Sequence, residues 1–413
     1  MKRTSWQTKK LCELCDFHNG LWKGKEPPYI KVGVIRNTNF TKDGELDDAD
    51  IAYLDVEKKQ FEQRKLFHGD IILEKSGGGP KQPVGRVIIF DKKEGDFSFS
   101  NFTSAIRIKR KDQIDFKYLH KYLFFSYMSG VTEAMQSHST GIRNLNFKLF
   151  KEIGIPFPSF IQQNRIVRIL EEVFEGVARA KENAEKNLES AYELFESYLR
   201  SVFANPSDGW KEKKLIEMCE IRPPKNEARV KLKDTDTVSF VPMEDLGIKQ
   251  KWLVPIKQRT LKEVEGSYTY FADRDVLLAK ITPCFENGKL GVARNLKNGI
   301  GFGSSEFIVF RTSKNLLPEF LYYYLLREEF RQEGLNRMKG AVGHKRISKE
   351  FVENAIIIVP SLLVQNQIVD KFDRLSARTE RLEAIYKQKL GDLEELKKSI
   401  LQKAFNGNLV GAS

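Results

Sequence analysis

The stretch IQQNRIVRILEEVFEGVARAKENAEKNLESAYELFESYLRSVFAN, residues 161–205, decides the fold. Apolar side chains recur at steps of three and four, at Leu170, Phe174, Val177, Ala184, Leu188, Ala191, Phe195, Tyr198 and Val202, and Lys181 breaks the series. This heptad seam predicts one long helix that needs a partner. Glutamates such as Glu171, Glu182 and Glu189 keep the other faces in water. At about 1.5 Å per residue the helix is a rod of roughly 60 Å.

The partner lies in the same chain. Moving 202 positions along gives Phe372, Leu375, Thr379, Leu382, Tyr386, Leu393, Leu396 and Ile400 at the same steps, with Lys389 in the seam. The entries to the two helices also match: Pro158, Ser159, Gln163, Asn164, Ile166 and Val167 recur as Pro360, Ser361, Gln365, Asn366, Ile368 and Val369. Near the exits, Leu194, Ser197, Leu199 and Phe203 recur as Leu396, Ser399, Leu401 and Phe405. The segments ahead of the helices open alike, on Trp6, Lys9, Lys10, Leu11, Glu13 and Cys15, and on Trp210, Lys213, Lys214, Leu215, Glu217 and Cys219. The repeat unit is therefore a globular domain followed by a helix, used twice. The expected boundaries are 1–157, 158–205, 206–360 and 361–413, with the turn cluster at 205–209 between the copies.

Each globular segment reads as β-rich, with strands near residues 70–73, 85–90 and 105–108, and near 275–278, 291–293 and 307–310. An amphipathic helix follows, carrying Phe116, Leu119, Tyr122 and Leu123 in one copy and Phe320, Leu321, Tyr324 and Leu325 in the other; these aromatics are expected in the core. A polar loop with a glycine and basic side chains comes next: Gly141, Arg143, Asn144 and Lys148, against Gly343, His344, Lys345, Arg346 and Lys349.

With 413 residues and 41% apolar content, the chain has material for two or three folded domains. The net charge of +13 favours a polyanionic partner. The positive excess falls in the globular segments rather than the helices. The N-terminus leads into no apolar run and no window approaches a membrane span, so a cytoplasmic protein is expected. Cys12 and Cys15 form a single pair without a second at metal spacing, so zinc is not expected, and Cys15 with its counterpart Cys219 reads as a core thiol.

Catalysis has little to stand on. Residues 74–81 cluster glycines and lysines without phosphate-loop spacing, no dinucleotide fingerprint follows a strand, and the five histidines are scattered. Binding has more. Gly77, Gly78 and Gly79 would let a backbone approach a duplex closely, with Lys75, Lys81 and Arg86 beside them. Lys280, Lys289 and Arg294 occupy the comparable region of the second copy. The two glycine-basic loops suit base reading, since arginine pairs with guanine and asparagine with adenine.

The repeated helix, the entry at 156–167 and the ending Ser399, Ile400, Leu401, Gln402, Lys403, Ala404, Phe405, Asn406, Gly407, Asn408, Leu409, Val410 together resemble the DNA specificity (S) subunits of type I restriction-modification systems. The resemblance spans the whole chain. It implies an α+β protein with two α/β target-recognition domains, separated by two long conserved helices that pack as an antiparallel coiled coil with an internal pseudo-twofold. It also implies a non-catalytic chain that binds double-stranded DNA. Two methyltransferase subunits carrying S-adenosylmethionine, and restriction or translocase subunits using ATP and Mg, would assemble around it, docking partly on the seam helices. Two different basic domains predict an asymmetric, gapped target, because identical domains would read a palindrome. Rival readings are an enzyme with its own active site, a coiled-coil scaffold or regulatory protein without restriction-modification partners, and an RNA binder.

Overall fold

Asp115 starts the first of four helices that organise the chain: its carboxylate accepts the Tyr118 amide at 2.9 Å, and Phe116–Met128 (α1) follows. The others are Phe160–Ala204 (α2), Pro318–Leu326 (α3), which has proline in its first turn, and Leu362–Phe405 (α4). The computed structural model describes residues 6–22, 24, 26–79, 82–139, 142–255, 257–341 and 343–409. Lys81, Gly141 and Val410 lie outside them.

The chain divides into two compact units, Met1–Ala184 with Gln388–Ser413, and Glu185–Lys387. Each unit joins one globular segment to the start of one long helix and the end of the other.

In the first unit a four-stranded antiparallel sheet runs in the order Cys15–Asn19, Thr103–Ile108, Asp70–Glu74, Val87–Phe90. Alternation is weak because Ile71, Ile72 and Leu73 are all fully buried, so both faces are covered. On one side, α1 packs with Leu170 of α2 and with Leu401, Ala404 and Phe405 of α4. The helices are antiparallel here, since Leu170 shares a core with Leu401 while Lys181 pairs with Glu394 at 3.1 Å further along.

The second unit repeats this order with Cys219–Ile221, Phe307–Thr312, Val276–Ala279 and Leu290–Val292. Here α3 packs with Phe195, Leu199 and Phe203 of α2 and with Phe372 of α4. The aromatic contacts are duplicated as well. Phe405 meets Tyr122 edge-on at 5.0 Å, and Phe203 meets Tyr324 edge-on at 5.8 Å. Burying each ring contributes about 1.5–3 kcal/mol, so each helix end fastens firmly.

Both sheets carry the same ion pair. Arg107 donates to both Asp70 oxygens at 2.9 and 2.7 Å, and Arg311 to both Asp275 oxygens at 2.9 and 2.8 Å. Each aspartate also accepts a backbone amide, from Phe67 and from Ala272. Satisfied this way, a buried carboxylate is tolerated between strands.

The seam differs from its reading in places. Leu170, Val177, Phe195 and Phe372 are buried, and Phe174, Leu188, Leu375, Leu393 and Ile400 are half-buried. Leu382 and Leu396 instead face outward, at 39% and 44% exposed. Lys397 takes the inward place beside Leu396, pairing with Asp43 and lying 4.9 Å over the Phe174 ring. Its repeat counterpart is Phe195, so the helical phase is kept and the chemistry changes. Lys389 is exposed, whereas Lys181 is ion-paired. Among the described residues no helix is long and apolar enough to cross a membrane.

Candidate nucleic-acid interface

Two segments that local spacing treats as separate are joined in the first unit. Ser76–Gly78 adds to the hairpin of Gln136–Ser139 and Ile142–Leu145, giving a three-stranded antiparallel sheet. The Leu145 amide donates to the Lys75 carbonyl at 2.8 Å, while the Lys75 and Ser76 amides donate to Phe102 at 3.0 and 3.2 Å. Lys75, Arg143 and Asn144 are thereby brought to one edge.

Each side chain there has a local partner. The Lys75 ammonium donates to the Asn19 side chain at 2.9 Å, and partial burial lowers its pKa from the ordinary lysine value. Ser76 donates its hydroxyl to Asn144. Arg143 pairs with Glu133 at 3.2 Å. Lys148 is exposed, in a short helix capped by Asn146. Exposed Trp22 and Phe102 stand on neighbouring segments, because Leu21 bridges Ser100.

Two candidates move inside. Arg86 grips Glu74 with two bonds of 2.7 and 2.9 Å and donates to the Phe40 and Asn37 carbonyls, so its guanidinium is engaged within the fold. Gly78 is buried; a Cβ there would stand 2.6 Å from the Gln82 carbonyl oxygen and 2.8 Å from Val84. The glycine lets its own loop close tightly.

The second unit builds the same junction from different side chains. The Ile347 amide donates to the Lys280 carbonyl at 3.0 Å, and the Thr282 amide to the Lys345 carbonyl at 3.0 Å. Arg346 holds Glu306 bidentately at 2.9 and 2.8 Å, which lowers the pKa of that carboxyl. The Lys280 ammonium donates to the Ser305 carbonyl at 2.8 Å and lies 3.7 Å from Glu306. His344 and Lys345 are exposed, and Lys349 pairs with Glu353 one helical turn on.

Lys289 and Arg294 are drawn elsewhere. Lys289 donates to the Met243 carbonyl at 2.7 Å, and Arg294 stacks at 4.2 Å over Trp252. Since Val292 pairs with Val276 and Leu290 with Leu278, Arg294 falls at the end of the sheet away from Lys280. Sequence reasoning missed Glu306 and Asn19, which have no neighbouring motif, and passed over Ser76 inside the glycine cluster; the pairing of distant strands brings them in.

Cys15 and Cys219 are both buried, and burial pushes each thiol up to about 12. Among the described residues no three His, Cys, Asp or Glu side chains are grouped to hold a metal ion.

The family described as type I restriction modification DNA specificity domain matches residues 4–189 and again 207–391. The chain belongs to this family. The two matches fall on the two copies of the repeat. The specificity subunit of the type I restriction enzyme EcoAI of Escherichia coli is 34% identical over 178 residues, which span 43% of this chain and 29% of that protein. The EcoKI specificity subunit of Escherichia coli K12 is 22% identical over 405 residues, spanning 92% of this chain and 82% of that one. The chain thus spans under a third of the length of EcoAI but most of EcoKI. In fold, the chain is similar to one from a study of complex assembly in the type I R-M system, with a TM-score of 0.76 at 18% identity over 99% of this chain and 100% of that one. It is also similar to the HsdS subunit of Thermoanaerobacter tengcongensis, at a TM-score of 0.59 and 18% identity over 98% and 97% of the two chains.

Proposed function

We propose that this type I specificity chain reads one part of an asymmetric, gapped double-stranded DNA target with each unit. The observation that carries the reading is the duplicated junction: Leu145 on Lys75, and Ile347 on Lys280, the same main-chain bond under different side chains. Equivalent positions hold Arg143 and Asn144 in one unit and Lys345 and Arg346 in the other, which suits two different base preferences. Phosphate contacts from the basic surface supply most of the affinity, and the junction side chains the choice.

The chain acts without catalysis of its own, in the cytoplasm with its DNA. Two methyltransferase subunits bind S-adenosylmethionine and restriction subunits use ATP and Mg. Exposed apolar residues recur at equivalent places on the long helices, Ile161 with Leu363 and Leu194 with Leu396, which supports two like contacts for a pair of like subunits.

The test is co-expression with a cognate methyltransferase subunit and mapping of methylated bases by single-molecule sequencing. A two-part, gapped, asymmetric motif is expected. A complex that forms and methylates nothing new would overturn the reading in favour of a scaffold.

A further inference from the structure

Arg107 and Arg311 hold equivalent aspartates with the same two nitrogens, Nε and Nη2, and differ at the third. Arg311 donates its Nη1 to Glu227 at 2.7 Å, and Glu227 also accepts the Tyr270 hydroxyl at 3.0 Å. Two carboxylates therefore close around the guanidinium of the second unit. Arg107 spends its remaining Nη2 hydrogen on the Lys65 carbonyl at 3.0 Å, and its Nη1 makes no hydrogen bond among the described residues.

Arg107 lines a cavity of about 250 Å³ together with Asp70, His68, Lys111, Asp115 and Phe116. The carboxylates around it are engaged. Asp70 holds Arg107 and the Phe67 amide, and Asp115 caps α1. Asp16, the cross-strand neighbour of Arg107, lies 3.9 Å from Lys109, and Asp112 is held by Arg110. The cations are less so: Lys111 is exposed and has no ion pair among the described residues, and exposed His68 rests edge-on against Phe116 at 5.4 Å. Arg107 itself stacks at 4.4 Å over Phe67, which fixes the plane of its fork. A held guanidinium nitrogen with unused hydrogens beside a free lysine suits an oxyanion. The cavity is also set apart from the candidate interface, because Asp70 begins the strand that Glu74 ends beside Lys75, about 13 Å away at the usual rise.

We infer that the cavity of the first unit accepts a carboxylate from outside the chain, held by Nη1 of Arg107 and the ammonium of Lys111, in the place that Glu227 fills from within the second unit. Both an acidic side chain of a bound protein and a small free carboxylate present this chemistry. The inference does not depend on how DNA is read.

The experiment uses the full chain and fluorine NMR, titrating trifluorobutanoate against its neutral isostere trifluorobutanamide. Saturable line broadening is expected with the carboxylate alone. Lys111→Glu, which places a competing carboxylate at the cavity, should weaken it about tenfold, while the same charge change at exposed Lys262 in the second unit leaves it intact. Glu227→Ala empties the matching place beside Arg311 and should add a second equivalent of bound probe. Equal broadening by acid and amide, equal loss in Lys111→Glu and Lys262→Glu, or no gain in folded Glu227→Ala would overturn the inference. Release of the probe by a DNA duplex alone would also overturn it, assigning the cavity to backbone phosphate. With a methyltransferase subunit bound, release of the probe identifies an acidic side chain of that protein, and retention identifies a free carboxylate.

Discussion

Gln163 and Gln365 make the same three hydrogen bonds, one in each unit. Each side-chain oxygen accepts the amide that leads into the short helix, Asp115 at 2.9 Å and Leu317 at 2.8 Å. Each amide group donates to two carbonyls, Gln113 and Pro158 at 3.0 Å, and Asn315 and Pro360 at 2.9 Å. Both side chains are completely buried. The glutamine therefore ties the start of a long helix to the globular segment before it.

Replacing either glutamine by leucine strands one buried amide and two carbonyls, each costing about 1–3 kcal/mol less whatever water recovers. Gln163→Leu is expected to lower the unfolding free energy by about the sum of these terms, seen as a lower urea midpoint. Gln163→Glu should hurt at least as much, since a buried carboxylate keeps the Asp115 amide but turns an oxygen towards the Gln113 and Pro158 carbonyls. If Gln163→Leu unfolds at the wild-type midpoint, the clamp is dispensable.

The outward turn of Leu396 and inward turn of Lys397 give a paired expectation. Leu396→Ala in the isolated chain should stay within about 0.5 kcal/mol of wild type, as exposed substitutions do. Lys397→Ala removes both a packed stem and the Asp43 pair, and about 2 kcal/mol is expected. The opposite ranking in denaturant titrations would put Leu396 in the seam.

His120 is buried, and desolvation pulls its pKa from 6.5 down to about 3. The unfolded chain takes up this proton below about pH 6.5, and the folded chain only near pH 3. The contribution is therefore complete above pH 6.5 and erodes as pH falls towards 3. Between pH 7 and 4.5, wild type should lose about 2 kcal/mol more than His120→Phe. Urea midpoints at the two pH values check this, and parallel losses would show that the imidazole titrates normally.

At the candidate interface, Arg143→Ala should relax base choice at one half of the target by about 1–3 kcal/mol, ten- to hundredfold, and leave the other half intact. Arg346→Ala should do the converse. Methylation maps of both variants read the outcome directly, and equal loss at both halves would sink the assignment.

The long helices, the repeat and the glutamines were legible because their signals are local: a three-four step, or one residue found again at a fixed offset. The internal partners of Arg86 and the close packing at Gly78 were not legible, because a basic or glycine residue looks the same in sequence whatever surrounds it. Glu74 sits far enough from Arg86 in sequence that only the strand pairing of 70–74 with 87–90 reveals the ion pair. Lys397 was passed over because the apolar residue beside it fits a hydrophobic pattern better. A buried lysine becomes plausible only once Asp43 and Phe174 are seen around it.

The junctions at Lys75 and Lys280 are held by main-chain bonds, from Leu145 and Ile347. Peptide groups are the same whatever side chains they carry. Mutation can therefore rewrite the chemistry displayed at these edges without loosening the frame beneath. The two halves have already diverged there, asparagine at 144 in one and arginine at 346 in the other. A lineage built this way can drift to a new preference in one half by single substitutions while the other keeps its own.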